Sequence, residues 1–289
     1  MDFKKIEIIF ILAFLCLNGY LLWRVFENNQ NDFTGIATNQ VNLIEEMKDE
    51  QIELPNFEDK AHEVPYIQAA ANNLLEENAS RLTKQTGIIE NNGSLYASIL
   101  SDPIKLSEGQ ELTTGDLEIL TEFILSDAIL YGDQYQFIRY IPSTRQIIYG
   151  QVANNIPIVD GTSDIIFHLN GNKEVISYEQ KYAGPVTVQG ESRTLVTDKD
   201  AVEILYQNNE IPTGTKVRKP LLTYSRTLHL EDLSMYVPVW LVEVVTSTDT
   251  LIKRVDAVNG SIIQDTNNEK NENPVDSNSD TSEPSGIDE

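Results

Sequence analysis

The chain is poor in the side chains that do chemistry. Its only cysteine among 289 residues is Cys16, inside an apolar run near the N-terminus, so the rest of the chain has no possible disulfide and no thiol nucleophile. Basic residues are also scarce: 21 Lys and Arg against 45 Asp and Glu give a net charge of -24. This excludes nucleic-acid partners and any attraction to an anionic lipid surface, because both carry the same sign. The three histidines, His62, His168 and His229, fall in different segments with no cysteine or clustered carboxylate at metal-ligand spacing. There is no G-x-S-x-G and no S-x-x-K. "DGTSD" at Asp160 to Asp164 reads as a turn, since Asp and Gly serve turn geometry and a calcium loop needs further oxygens in register. No residue is assigned a catalytic role, and no metal or cofactor is expected.

Long hydrophobic runs are absent except for one, "KKIEIIFILAFLCLNGYLLWRVFENN". From Ile6 to Phe26 it counts about 20 residues, enough for a helix to cross a hydrocarbon core roughly 30 Å thick. Tyr20 to Val25 form no small-x-small cleavage site, and Phe14 and Leu15 stand where a lipoprotein signal needs small residues before its cysteine. The segment is therefore expected to be retained as an anchor. Lys4 and Lys5 set residues 1–5 in the cytoplasm, with the acidic bulk outside, a single-pass topology at the cell membrane. On a helix, Glu7, Ile11, Phe14, Asn18 and Leu22 share one stripe that gathers the segment's polar residues, and Ala13, Cys16 and Gly19 form a small-residue arc on another side. Polar groups in hydrocarbon favour a protein-facing position, so the stripe is predicted to meet a partner helix.

Beyond the anchor, residues 27–85 read as a juxtamembrane helical region, with Val41, Ile44 and Met47 near a helical period. From residue 113 a pattern occurs twice. Thr113-x-x-Asp116 starts a helix carrying Leu117, Leu120 and Ile124, and Thr197-x-x-Asp200 starts one carrying Ala201, Ile204 and Leu205. Extended runs follow each, and the last run of each set holds an Asn-Gly turn, at Asn170-Gly171 and Asn259-Gly260. The helix starts are offset by about 84 residues and the turns by about 89, which predicts an internal duplication. A third Asn-Gly, Asn92-Gly93, is expected to join two strands ahead of the first helix. The expected fold class is α+β: an N-terminal transmembrane helix, then two helix-on-antiparallel-sheet modules at 86–190 and 191–264. Residues 265–289 form an acidic tail without core-forming residues, expected to be disordered.

The N-terminal run, "IEEMKDEQIELP", "NNIPIVDGTSDIIFHLNGNKEVISYEQKY" and the closing "YVPVWLVEV…VDAVNGSI" together resemble the YycI family, also called WalI, in an order that covers Met1 to about Gln264. The resemblance implies a membrane-anchored accessory protein that associates with the sensor histidine kinase WalK (YycG), together with its relative YycH, and adjusts kinase activity and so cell-wall metabolism. It implies outer modules similar to those of YycH and no enzymatic motif. On that footing the Asn18 stripe is expected to face the kinase and the Ala13–Cys16–Gly19 arc a second partner such as YycH. A different class of function, an extracytoplasmic wall-acting enzyme or ligand-binding surface domain, explains only the location.

Overall fold

The computed structural model describes residues 14–20, 43–109 and 111–264. Within them the fold is α+β, with two antiparallel sheets and a helix laid on each. The helices associated with the sheets are α1 (Leu43–Asp49), α2 (Leu74–Asn78), α3 (Thr114–Ile124) and α4 (Asp198–Gln207). The strands are β1 (Glu63–Ala70), β2 (Gln85–Glu90), β3 (Leu95–Lys105), β4 (Tyr135–Ile141), β5 (Gln146–Ala153), β6 (Ile156–Pro157), β7 (Asp164–Leu169), β8 (Glu174–Lys181), β9 (Val186–Thr194), β10 (Lys216–Val217), β11 (Leu221–His229), β12 (Leu233–Val245), β13 (Thr250–Asp256) and β14 (Ile262–Ile263). The N-terminal stretch 14–20 is helical.

One sheet runs β2-β3-β8-β7-β5-β4, with β6 beside β5. Its inner face carries Tyr96, Ile147, Tyr149, Phe167 and Tyr178, which bury against Leu120 and Ile124 of α3. The ring of Phe167 meets those of Phe123, Tyr149 and Tyr178 at centroid distances of 6.1, 5.8 and 5.9 Å, edge-on or tilted as aromatic quadrupoles prefer. The second sheet is organised around β12. On one edge of that long strand lie β11 and β10, and on the other β13 and β1 succeed one another, with β9 beyond β1. Ala201, Val202 and Leu205 of α4 and Met47 of α1 close its core over Trp240, Val242 and Val244.

Both helices begin as the sequence predicts. Thr113 accepts from Asp116 N–H while Asp116 accepts from Thr113 N–H, and Thr197 and Asp200 do the same, so each first turn satisfies its own free donors. The Asn-Gly signals also join hairpins: β2 to β3, β7 to β8 and β13 to β14. In the second of these the left-handed residue is Lys173, φ 59°, whereas in the third it is Gly260, φ 72°.

The module boundaries differ from those expected. Within the expected juxtamembrane helical region, residues 63–70 form β1, which pairs with both β12 and β9 and so becomes an interior strand of the second sheet. Likewise β9, placed by sequence mostly in the module at 86–190, belongs to the second sheet. The first module is therefore an insertion, running from residue 71 to 185 between two neighbouring strands of the other. The reason is physical: local spacing reveals hairpins, but the pairing of β1 with β12 joins segments far apart in sequence and leaves no local signature. The helix α3 stops at Ile124, and Gly132 lies so close to the Ile124 carbonyl that a Cβ would stand 1.8 Å from it.

Candidate interaction site at the module junction

Three connections cross between the modules. Two are the chain itself near Asn72 and Ala183, and the third is the stretch 156–160. Asn72 Nδ2 donates to the Ala183 carbonyl at 2.9 Å, tying the two crossings together. The Gln151 side chain, fully buried on β5, donates to the Gly184 carbonyl at 2.9 Å and accepts from Ala183 N–H at 3.0 Å, and Ser163 Oγ donates to its carbonyl oxygen. A buried amide with both ends satisfied fixes the backbone it grips, since breaking either bond strands a polar group.

The third crossing is a shared strand. β6 pairs with β5, the Ile158 N–H donates to the Gln151 carbonyl at 2.8 Å, and Val159 N–H donates to the Tyr224 carbonyl of β11 at 3.0 Å. Asp160 finishes the seam: one oxygen accepts from Arg226 N–H at 2.5 Å and the other from Thr162 N–H at 2.9 Å. The "DGTSD" stretch is thus a turn whose first aspartate also fastens the second sheet, with Gly161 at φ 78°. Gly150 makes room for the seam, as a Cβ there would stand 2.6 Å from the Ile158 carbonyl. Nearby Asp164, buried on β7, has its carboxyl pushed above the usual carboxylate range by burial, against the pull of Lys181.

At the other end of the junction a cleft of about 500 Å³ opens between β4 and the β12–β13 hairpin. Glu243 bridges it, with Arg218 Nη1 at 2.9 Å and Arg139 Nη1 of the first module at 3.5 Å. The Arg139 Nε is buried and makes no hydrogen bond among the described residues. Ser143, Thr246, Thr248 and Asp249 complete the rim. The cleft presents guanidinium and hydroxyl donors in one place, which suits recognition of carboxylate or backbone carbonyl groups. Nothing in the sequence pointed to it, because Arg139 and Glu243 belong to different modules.

The histidines stay apart. The His168 Nε2 meets Glu179 at 3.1 Å, His229 Nδ1 meets Ser234 Oγ at 2.9 Å, and the His62 ring lies edge-on to Trp240 at 6.2 Å. Among the described residues no group of three or more His, Cys, Asp or Glu could hold a metal ion. Of the stripe read from sequence, Phe14 and Asn18 lie in the helical stretch 14–20, Phe14 exposed and Asn18 half-buried. Cys16 and Gly19 of the small-residue arc lie there too, both exposed. Glu7, Ile11, Leu22 and Ala13 fall outside the described residues, as do the acidic tail and most of the expected anchor. No helix among the described residues is long and apolar enough to cross a membrane.

Two solved structures are similar to this chain at low identity. An uncharacterized protein from Eubacterium rectale ATCC 33656 is 10% identical, covering 74% of this chain and 91% of its own, with a TM-score of 0.44. The C-terminal domain of YpeB from Bacillus megaterium is also 10% identical, covering 78% of this chain and 96% of its own, with a TM-score of 0.36. No curated protein matches the sequence. The family model of the YycI protein, in contrast, matches residues 30–258, which takes in the junction and every strand of both sheets but β14. The chain belongs to the YycI family, whose members have a regulatory accessory role in the WalK/YycG two-component system.

Proposed function

We propose that this chain is a membrane-anchored accessory regulator that associates with the sensor histidine kinase WalK (YycG) together with YycH, its short N-terminus cytoplasmic and both sheet modules extracytoplasmic. The observation that carries this reading is the match to the YycI family over residues 30–258, immediately beyond an apolar run long enough to span a bilayer. The Asn18 stripe, with Glu7, Ile11, Phe14 and Leu22, is the face offered to the kinase helices. The Ala13–Cys16–Gly19 arc allows close approach of a second helix, that of YycH. An interhelical hydrogen bond from Asn18 contributes about 0.6 to 2 kcal/mol in hydrocarbon. Regulation then needs no catalytic group, only a change in how the anchor and outer modules bear on the kinase.

Affinity purification of the full chain from detergent-solubilised membranes recovers the kinase and YycH, and a preparation with neither refutes the reading. Single-cysteine crosslinking in a Cys16→Ser background sharpens it. Probes at Phe14 and Leu22 capture the kinase, whereas probes at Ala13 and Tyr20 capture YycH. Kinase crosslinks from the Ala13 and Tyr20 side alone, with unchanged co-purification of Asn18→Leu, overturn the assignment of faces.

A further inference from the structure

The helix α3 has a second apolar stripe that its sheet does not use. Leu120 and Ile124 point into the core, and beside them Leu117, Thr121 and Leu125 recur at every fourth position, a line that starts at the core edge with the half-buried Leu117 and ends exposed at Leu125. Leu125 is 62% exposed. The contrast with α4 is sharp, because none of the large apolar residues of that helix is exposed. Along the Leu117–Leu125 line lies a shallow, open hollow of about 710 Å³ lined by α3 and the residues at its end alone. At Leu125 and Ser126 it joins a second depression of about 590 Å³, and at Ser126 a third of about 470 Å³, so three hollows meet at the end of the helix.

The charge around this surface is mostly of one sign. Glu118 and Glu122 flank the apolar line, Asp127 lies just beyond it, and the last turn of α3 carries no basic residue, which leaves the negative end of the helix dipole uncompensated. Arg81 and Lys84 stand on the far walls of the two smaller hollows, and Arg81 is engaged by the Asn78 side chain at 3.1 Å. A second copy of this chain would set Glu118 and Glu122 against their own kind. The chain's own tail, "DTNNEKNENPVDSNSDTSEPSGIDE", is acidic and is repelled in the same way.

We propose that the outer face of α3 docks an amphipathic helix of another protein, one that presents aliphatic side chains at helical spacing to Leu117 and Leu125 and lysine or arginine to Glu118 and Glu122. This inference stands apart from the assignment of the anchor's faces, since it concerns the first module alone. The exposed helix surface supplies apolar contact, and the two glutamates set which helices are accepted, because a neutral or acidic one leaves them unpaired or repelled.

The test uses the full chain in its native membrane with a photoreactive phenylalanine derivative at Leu125, at Leu117 or at Ile99. Ile99 is the control: it is 67% exposed on β3, on the sheet face turned away from α3. Adducts are expected from Leu125 and Leu117 but not from Ile99, mapping to a segment with net positive charge and apolar residues three or four apart. In Glu118→Lys/Glu122→Lys the Leu125 adduct falls by about tenfold, as expected for reversing two rim charges. Both glutamates are exposed, and an unchanged thermal transition confirms that the variant folds. Leu125→Asp, read by the Leu117 probe, gives a second measure of the same loss. No adduct, equal yield from Ile99, capture of lipid, of a second copy or of an acidic segment, or an adduct indifferent to charge reversal overturns the proposal.

Discussion

The two modules share a unit and are assembled differently. Each contains a Thr-x-x-Asp capping box that starts a helix followed by an antiparallel meander, β4-β5-β7-β8 in the first and β11-β12-β13-β14 in the second. In the first, the added strands come from the same stretch 71–185: β2 and β3 form a hairpin that joins the meander beside β8. The second borrows β1 and α1 from the far side of the insertion, and β1 lies between β12 and β9. The difference teaches that a repeated helix-and-meander unit does not fix where the remaining strands attach. Only the first module owns all of its sheet.

The largest effect expected comes from that ownership. A fragment spanning residues 71–185 gives a cooperative thermal transition with native-like circular dichroism, while 186–264 alone does not, and adding 43–70 in trans restores its sheet signal. Equal behaviour of the two isolated fragments breaks the comparison. Next in size is the aromatic centre of the first module. Phe167→Ala removes a fully buried ring packed on three others and costs about 3 to 5 kcal/mol. Hydrogen exchange checks where: amides of β5, β7 and β8 lose protection first, and those of β12 and β13 keep theirs.

The smallest effect separates the capping boxes. Asp116 is buried and accepts from Ser107 N–H at 2.6 Å as well as from Thr113 N–H, whereas among the described residues the one backbone donor to the Asp200 carboxylate is Thr197 N–H. Burial raises the Asp116 pKa, but the backbone donors outweigh it and hold the carboxyl down at about 2. Because that folded value lies below the unfolded one near 4, its contribution is present above about pH 4 and is lost as pH falls toward 2. Asp116→Asn is therefore expected to cost about 2 kcal/mol at neutral pH and Asp200→Asn about 1 kcal/mol, with the Asp116 deficit shrinking on acidification. Urea melts at pH 7 and pH 3 measure it, and equal losses at both sites merge the two caps into one case.

What was legible in the sequence was local. The caps at Thr113 and Thr197 need only four residues each, and the three Asn-Gly turns are set by neighbours, so spacing alone located them. The stretch "PYIQAAA" gave no such signal: its place as β1 depends on Ile67 and Ala69 burying beneath a strand more than a hundred residues later. The Arg139–Glu243 bridge was invisible for the same reason. Leu117 stands on the same side as Ile124, seven residues on, and is half-buried there, whereas Leu125, which the spacing did not single out, ends exposed beside that stripe.

The interior position of β1 bears on how the molecule answers tension. Were the chain held at its N-terminal end and loaded at the outer modules, the pull along β1 would be shared by two ladders, its pairs with β12 from Ile67 to Ala70 and with β9 from Glu63 to Ala69. Bonds lying across a pulled strand yield together in shear, not one after another as in an unzipping edge. The strand that joins β9 to the rest of the second sheet would thus also be the first to carry a load arriving from the N-terminal side.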